Sequence, residues 1–547
     1  MATQKTGNKE GLTRRGFLKT TGSVALAGVA AGTVLTGSRK AFGADMPKKW
    51  DREADVLCLG YGGAGAAAAI AASDNGAKVM ILEKMPHGGG NTAVSAGGFL
   101  CPKNVPDAIT YIEGLFTYSH SEMDKDLVRV YAEETVKNVE WIKGLKEGTE
   151  VGIYGHAGFP GVPGAASMDK YNVMGKGKGM SGASNNLWEL LTYAVEEKRK
   201  VPVLLETPAK RLVTNDRGEV IGVIAESKGK EIAIKANKGV ILTTGGYEFD
   251  RKTLQNSVKG FPIYAAGNPG NTGDGIRMAQ KVGAGLWHMN GVSCPLGIKV
   301  PEFEAAFYMN INTSIPGFVF VDRHGRRFVN EKSIEAHAGL LAVDFYDGHA
   351  LMYPRIPCYA IFDEATRAKK PIATSVGRGY NGKRLYKWSK DNSAEVEKGW
   401  IIKGDTIEDL AKKLKLDPKA LSETLARWNS DIKKGEDTLF HRPLNAPKSD
   451  KPAYKELVTA VWSAPIEQPP FYALELYPTL LNTQGGPRRN TKAEVLDAFG
   501  APISRLYSAG ELGSMWGIIY QGAGNIGECF AYGRIAGKNA AANKAWS

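Results

Sequence analysis

The sequence lacks the motifs on which many redox and metal centres depend. It contains five widely separated cysteines, no CxxC, CxxCH or HExxH pattern and no EF-hand loop. The sequence therefore offers no attachment motif for a c-type haem or a cysteine-ligated iron–sulfur cluster. We predict no metal site, and the odd number of scattered cysteines indicates no disulfide framework.

Long apolar runs and blocks of like charge are also missing. The apolar stretch at 24–35 is shorter than the ~20 residues that span a bilayer, so we predict that the chain does not cross a membrane. A net charge of +13 is a modest excess for 547 residues. It is typical of a solvated surface and would also suit an acidic partner or an anionic substrate, whereas no basic run indicates nucleic-acid binding.

The N-terminus resembles a twin-arginine export signal. Arg14 and Arg15 precede Phe17 and Leu18, the apolar stretch follows, and small residues at 41–43 suit a signal peptidase. We predict a signal peptide at 1–43 and a periplasmic or otherwise exported protein. The alternative is a basic, disordered arm. Twin-arginine export carries proteins that have already folded, which fits a cofactor inserted before export.

The strongest pattern lies between residues 56 and 83. Two short apolar runs flank an Ala-rich segment, and the second run ends at Glu83. The pattern Gly60-x-Gly62-x-x-Gly65 stands between the first run and the Ala-rich segment. This order predicts a strand, a Gly-rich turn, a helix and a second strand.

Each part of this pattern suits a dinucleotide. Gly60 allows a tight turn, Gly62 lets the backbone approach a pyrophosphate, and Gly65 lets the helix pack close to the strand. The phosphates would lie at the positive end of the helix, and Glu83 would accept hydrogen bonds from a ribose. The pattern alone does not distinguish a nicotinamide from a flavin.

The composition changes along the chain and predicts more than one domain. Residues 150–182 are rich in Gly and small residues, which is typical of a loop over a ligand. From 291 to 446 aromatics, prolines and charges are mixed, and 407–433 has helical periodicity. We predict a dinucleotide-binding domain in two parts, 50–290 and 447–547, around an inserted capping or substrate domain at 291–446.

Further segments resemble the FAD-dependent family of fumarate reductases, succinate dehydrogenase flavoproteins and 3-ketosteroid dehydrogenases. In chain order they are ADVLCLGYGGAGAAAA, GGGNTAVSAGG, TTGG, GNTGDGIRMA, VDRHGRRFVNE, NTQGGPRRNTKAEVLD, LYSAGELG and GAGNIGECFAYGRIAG. The resemblance covers nearly the whole chain after the leader and implies FAD as the cofactor. It also implies an α/β fold, in which a discontinuous Rossmann-like FAD-binding domain carries an inserted α+β capping domain.

The resemblance implies a set of cofactor contacts. A helix N-terminus at Asn525 and Ile526 would lie by the flavin pyrimidine and stabilise its reduced form. Asn91 stands where some relatives have a histidine linked to the flavin, so we predict non-covalent FAD. The implied cofactor-binding residues are Gly60, Gly62, Gly63, Ala64, Gly65, Glu83, Lys84, Gly90, Asn91, Thr92, Ser95, Ala96, Gly97, Gly98, Ala209, Thr244, Gly245, Asp274, Glu511, Asn525 and Ile526.

The implied substrate site departs from that of fumarate reductases. Those enzymes bind a dicarboxylate with histidines and an arginine, whereas the corresponding positions here are Asn482, Trp516 and Tyr520. Cationic donors suit a carboxylate, so their loss argues against fumarate. We predict that these three residues contact a different substrate.

The segment from Tyr520 to Gly524 resembles a motif of 3-ketosteroid dehydrogenases. The resemblance implies that the Tyr520 hydroxyl and the Gly524 N–H polarise a substrate carbonyl. The alternative is that Tyr520 is only an aromatic wall beside the flavin.

Two further residues have weaker catalytic assignments. Arg367 loosely matches the proton-donating arginine of fumarate reductases, and its alternative is a surface helix residue. Glu331 would relay protons, although the arginine expected shortly after it is missing. We expect His156, His288 and His337 to be packed or solvated rather than catalytic.

The sequence thus predicts an exported FAD-dependent oxidoreductase acting on CH–CH groups. It would transfer a hydride between flavin N5 and a C=C bond conjugated to a carbonyl, as in an enone or a ketosteroid-like substrate. Electrons would be exchanged with a separate c-type cytochrome or quinol-linked protein. The alternatives are a respiratory reductase of a fumarate- or acrylate-type acid, and a flavin electron carrier without a substrate of its own.

Overall fold

The structure is a computed structural model that describes residues 46–175, 179–308, 315–372, 386–445 and 463–546. The predicted signal peptide at 1–43 and the predicted domain border at 446–447 lie outside these ranges. Within them, no helix is both long and apolar enough to cross a bilayer.

The larger sheet has eight strands and contains the Gly-rich pattern near the N-terminus. Its parallel strands follow in the order Pro502–Ser508, Lys230–Leu242, Arg52–Leu59, Val79–Leu82 and Val203–Leu204. Antiparallel strands extend it, namely Ala209–Thr214, Val220–Ser227 and Glu494–Leu496. In its centre Leu57 lies opposite Met80 and Val240 and is fully buried, which explains the apolar runs of the sequence.

Two glycines place the first helix against the ends of these strands. Gly60 has φ of +107°, and a Cβ there would lie 2.4 Å from the Thr243 carbonyl oxygen. Gly65 belongs to the helix Gly63–Asp74, and its Cβ would lie 2.0 Å from the Gly60 carbonyl oxygen. Larger residues would force the turn and the helix apart.

The C-terminal helix Gly524–Ala542 packs on the helix Gly63–Asp74 through small residues. A Cβ on Gly537 would lie 2.2 Å from the Ala68 carbonyl oxygen, and one on Gly533 would lie 2.8 Å from the Ala67 Cβ. The two backbones therefore approach closely. As a result, segments distant in the sequence meet beside the carboxyl ends of the parallel strands.

The smaller sheet has seven strands around the long strand Phe471–Leu480. This strand pairs directly with Tyr264–Ala265, Leu296–Ile298, Cys358–Asp363 and Ile401–Gly404, while Phe307–Tyr308 and Phe318–Val321 form the outer positions. Most of these strands come from the segment predicted as an insertion. The central strand comes from the segment that was predicted to return to the first domain.

One predicted helix is divided in two. The segment at 407–433 forms Ile407–Leu414 and Pro418–Lys434, because Lys415 adopts a left-handed φ of 58° and Pro418 starts a new helix. Both helices pack their apolar side chains, including Leu410 and Leu421, into a core beneath the smaller sheet.

Shorter elements complete the described chain. The other helices are Gly90–Val94, Val105–Ser119, Lys125–Thr135, Asn138–Leu145, Gly179–Thr192, Arg251–Ser257, Asp274–Lys281, Gly339–Val343, Glu364–Arg367 and Ser393–Glu397, with a 3₁₀ turn at Ala165–Ser167 and a π-helical turn at Tyr193–Glu197. The other strands are Phe99–Leu100, Val151–Gly155, Lys170–Val173, Leu286–Trp287, Val292–Ser293, Asn482–Thr483 and Gly486–Pro487.

Candidate active site

A cavity of about 1010 Å³ opens where the parallel strands of the larger sheet end. Gly60, Glu83 and Thr243 each directly follow one of these strands, and all three line it. This edge of a parallel sheet is where α/β proteins commonly bind ligands. We call the part near these residues the fingerprint end and the part around Tyr154 and Tyr520 the tyrosine end.

The structure brings nearly all of the predicted cofactor residues to this cavity. Gly65 and Gly97 do not line it, and Gly65 supports the Gly60 turn from behind. The others do: Gly60, Gly62, Gly63, Ala64, Glu83, Lys84, Gly90, Asn91, Thr92, Ser95, Ala96, Gly98, Ala209, Thr244, Gly245, Asp274, Glu511, Asn525 and Ile526.

The fingerprint end has the polar groups that a dinucleotide needs. The Glu83 carboxylate accepts hydrogen bonds from the backbone N–H groups of Tyr61 and Met85, both at 2.8 Å, and burial raises the pKa of this carboxyl. Lys84 forms an ion pair with Asp274 at 2.6 Å. Thr244 lines the cavity, and its buried Oγ1 has no hydrogen-bond partner among the residues that the structure describes. A ligand hydroxyl or ring nitrogen would satisfy this atom, so the residues fit an adenosine moiety.

A buried pair of carboxyl groups lies behind Asn91. The Asn91 Nδ2 group donates to Glu248 Oε1 at 2.6 Å and to Glu511 Oε2 at 2.9 Å. Burial and the charge of Glu248 raise the pKa of the Glu511 carboxyl well above its usual range, and burial raises that of Glu248. Burial and mutual repulsion therefore favour a protonated carboxyl group in this pair. The sequence analysis identified Glu511 and Asn91 but not Glu248.

The N-terminus of the C-terminal helix faces the same cavity. Asn525, in its first turn, accepts a hydrogen bond from Asn482 Nδ2 at 2.8 Å and donates to Gln484 at 2.9 Å. Ala523 and Ile526 also line the cavity there. The partial positive charge of a helix N-terminus would stabilise a reduced, anionic flavin ring at this position.

Tyr520 lies at the other end of the cavity with its hydroxyl held in place. The backbone N–H of Asn525 donates to this hydroxyl oxygen at 3.2 Å, and burial raises the pKa of the phenol. Because the oxygen already accepts a hydrogen bond, its own proton remains to be donated to a ligand. The hydroxyl is therefore a neutral hydrogen-bond donor rather than an anion.

The two residues predicted beside Tyr520 do not reach the cavity. The Gly524 N–H donates to the Gln521 carbonyl oxygen at 2.8 Å, so the helix-capping turn uses it. Trp516 is fully buried behind this turn and packs edge-on against Tyr520, with ring centroids 6.0 Å apart. Asn482, by contrast, does line the cavity.

Arg367 and Glu331 also lie away from the cavity. Arg367 Nε donates to Glu364 at 2.8 Å, and Arg367 Nη1 donates to the Asp391 carbonyl oxygen at 2.8 Å. Glu331 is fully buried between Arg327 and Arg442. Ion pairs hold both residues within the capping segment, and the structure does not bring either of them to the predicted proton-transfer position.

The tyrosine end contains titratable groups that the sequence analysis did not assign to the site. Tyr154 and His156 come from 150–182, the segment predicted as a loop over a ligand, whose described part includes two antiparallel strands. His156 Nδ1 lies 2.5 Å from Asp169 Oδ1. Lys170 also lines the cavity. Composition identified this segment, but nothing in it distinguished the individual side chains.

A second group comes from the segment that follows Glu331. Lys332, Glu335 and His337 all line the cavity, and burial lowers the pKa of Lys332 to about 7. His337, like His156, was expected to be packed or solvated. His288 does pack, between the carbonyl oxygens of Glu122 and Ser514.

Comparisons with known proteins identify the family. Residues 55–526 match the family model described as an FAD binding domain. The chain belongs to this FAD-binding family. The fumarate reductase (cytochrome) of Shewanella frigidimarina is 29% identical over 502 residues, which cover 89% of this chain and 77% of the relative. The acrylate reductase flavoprotein subunit of Shewanella woodyi is 30% identical over 567 residues, which cover 97% of this chain and 99% of the relative.

A solved structure shares the fold. The 3-ketosteroid Δ1-dehydrogenase from Sterolibacterium denitrificans superposes with a TM-score of 0.76 at 23% identity, over 90% of this chain and all of that one. Together these findings confirm the predicted fold class, FAD as the cofactor and an FAD-dependent oxidoreductase acting on CH–CH groups. The individual residue roles, the domain borders and the non-covalent state of FAD stay predictions.

Proposed function

We propose that this FAD-binding protein interconverts a C=C bond conjugated to a carbonyl, as in an enone or a ketosteroid-like compound, and its saturated product. FAD bound in the cavity would supply the hydride chemistry at the β carbon. The observation that carries the proposal is Tyr520, which lines the cavity and whose hydroxyl oxygen accepts the Asn525 N–H.

Tyr520 would bind the substrate carbonyl and stabilise the negative charge that develops on its oxygen. The Asn525 N–H and the helix N-terminus polarise the phenol, which makes it a better donor. One such donor contributes about 3 kcal/mol to transition-state stabilisation, or roughly 10²-fold in rate. Gly524 has no part in this proposal, because its N–H is already used. Asn482, fixed by Asn525, would border the substrate.

An unsaturated carboxylic acid is the second candidate substrate. Lys170 lines the tyrosine end, and its ammonium group favours an anion. The two curated relatives described above are named for fumarate and acrylate. In either case the chain has no haem motif, so we propose that a c-type cytochrome or a quinol-linked protein exchanges electrons with it outside the cytoplasm, as the predicted export signal implies.

Reoxidation of the reduced protein tests this proposal. The holoprotein would be reduced with dithionite, freed of excess reductant and mixed anaerobically with a panel of enones and α,β-unsaturated acids. The proposal expects rapid return of the oxidised flavin absorbance with at least one enone. Oxidation by acids alone would favour the second candidate, and oxidation by a cytochrome alone would indicate an electron carrier.

Tyr520→Phe tests the role of the hydroxyl. We expect it to lower the rate of flavin reoxidation by about 10² to 10³ without loss of bound FAD. Tyr118→Phe, at an exposed helix position, is the matched control. An unchanged rate in Y520F would show that the Tyr520 hydroxyl has no catalytic role and that the side chain only packs beside the flavin.

A further inference from the structure

A histidine–carboxylate pair adjoins Tyr520 in the cavity. Glu335 Oε1 lies 3.0 Å from His337 Nδ1, and Glu335 Oε2 accepts the backbone N–H of His337 at 2.6 Å. The His337 side chain retains 25% exposure and that of Glu335 only 11%. The carboxylate therefore fixes the imidazole from both its ring and its backbone, while the ring stays accessible from the cavity.

The His337 ring lies beside Tyr520 at the tyrosine end of the cavity. It packs edge-on against Tyr520, with ring centroids 5.3 Å apart. A Cβ on Gly522 would lie 2.5 Å from His337 Cε1, so the glycine makes room for the ring. A carbonyl compound bound to the Tyr520 hydroxyl would have its α carbon close to this imidazole.

We propose that His337, held by Glu335, donates the proton to the α carbon during reduction and removes it during dehydrogenation. The proposal rests on the proposed function. Because Glu335 accepts from Nδ1, Nε2 is the nitrogen that exchanges a proton with the substrate. His337 would take the place that the sequence analysis gave to Arg367, and Glu335 is a positioning residue.

The proton and electron balance is complete. In reduction the β carbon would gain a hydride, with its two electrons, that bound reduced FAD would supply. The C=C π pair would then form the bond between the α carbon and the carbonyl carbon, while the carbonyl π pair moves onto the oxygen that Tyr520 binds. When the carbonyl re-forms, the α carbon takes the proton from Nε2 of protonated His337. The neutral imidazole then regains a proton from water.

The charges around the pair favour this role. Although burial raises the pKa of the Glu335 carboxyl, His337 and Lys170 hold it below its usual range, so Glu335 is ionised at neutral pH. Tyr111 and Tyr520, the other titratable groups that face Glu335, are neutral because burial raises the pKa of each.

Exchange at the α carbon tests the proposal apart from turnover. The reduced holoprotein would be incubated in D₂O with the saturated counterparts of the compound panel, since reduced flavin cannot oxidise them. Mass spectrometry would measure deuterium at the α carbon. We expect the wild type and His349→Gln, an exposed control, to catalyse exchange, and His337→Gln to slow it by about 10² to 10⁴. Equilibrium binding of the same saturated compounds should change little.

Glu335→Gln distinguishes positioning from simple support of the fold. Without the carboxylate the imidazole loses the group that orients it, so kcat for substrate reduction should fall while KM and bound FAD stay near the wild-type values. Wild-type exchange in H337Q, or no exchange by the wild type with any compound, would overturn the proposal. If H337Q keeps exchange while enones still oxidise the reduced flavin, the proposed function stands and only the assignment of His337 fails.

Discussion

The substitution Glu248→Gln tests whether the buried carboxyl pair, Glu248 and Glu511, binds a proton in the folded protein. Glu248 Oε1 accepts hydrogen bonds from Asn91 Nδ2 at 2.6 Å and from Asn271 Nδ2 at 2.9 Å. Its buried Oε2 has no hydrogen-bond partner among the described residues. Glu511 Oε1 accepts the Thr483 N–H at 3.0 Å. A glutamine would keep the amide contacts through its oxygen and direct its NH₂ toward Glu511. The variant therefore preserves shape and removes one of the two buried carboxyl groups.

The expected size of the effect follows from proton counting. Both pKa values are raised in the folded protein, so folding retains one proton that the unfolded chain releases above its ordinary glutamate pKa of about 4.3. The stability from this proton is complete at low pH and declines as pH rises toward the raised pKa. The slope is about 1.4 kcal/mol per pH unit. The variant lacks the part of this slope that the Glu248 carboxyl contributes, while burial still raises the pKa of Glu511. Its stability relative to the wild type should therefore increase with pH.

Thermal unfolding at several pH values measures this difference. For a chain of this length, 1 kcal/mol corresponds to about 1 °C in Tm. Wild type, E248Q and the exposed control Glu147→Gln would be melted at matched FAD concentrations from mildly acidic to mildly alkaline pH. We expect the E248Q-minus-wild-type difference in Tm to rise by about 1 °C per pH unit, and that of E147Q to stay level. A level difference for E248Q would show that the pair holds no extra proton.

Other perturbations probe the framework of the site. Gly65→Ala would place a methyl group 2.0 Å from the Gly60 carbonyl oxygen, so it should lower the free energy of unfolding by about 1–3 kcal/mol and reduce the amount of bound FAD. Gly144→Ala, at a position with open space around it, is the control and should change neither quantity. FAD content and Tm measure both effects. Arg327→Met removes the guanidinium that bridges two buried carboxylates and should cost about 3–5 kcal/mol in unfolding free energy by denaturant titration, and a loss below 1 kcal/mol would contradict the structure.

Most of the predicted cofactor residues near the N-terminal Gly-rich pattern lie together at the fingerprint end of the cavity, and the reasons are local. Gly60 and Gly65 lie within one strand–turn–helix unit, and their spacing alone specifies the turn that the backbone forms. The resemblance to known flavoproteins then placed distant residues such as Asn91 and Glu511, which the structure brings to the same cavity.

The residues at the tyrosine end were harder to predict, because long-range packing decides which side chains lie there. The residues around Arg367 loosely match the motif of fumarate reductases. In the structure, however, its guanidinium donates hydrogen bonds to Glu364 and to the Asp391 carbonyl oxygen. Glu335 and His337 carry no distinctive spacing, and they reach Tyr520 only because the segment after Phe318–Val321 folds over the cavity. No local pattern in a single sequence indicates that Glu335 and His337 lie beside Tyr520.

A pair of isomeric substrates shows whether the reacting C=C bond must be conjugated to the carbonyl. Reduced holoprotein would be mixed anaerobically with a conjugated enone and, in parallel, with its isomer in which the same C=C bond is separated from the carbonyl. We predict that only the conjugated compound restores the oxidised flavin, with one molecule of saturated product formed for each flavin. Equal rates with both isomers, or flavin oxidation without saturated product, would contradict the account.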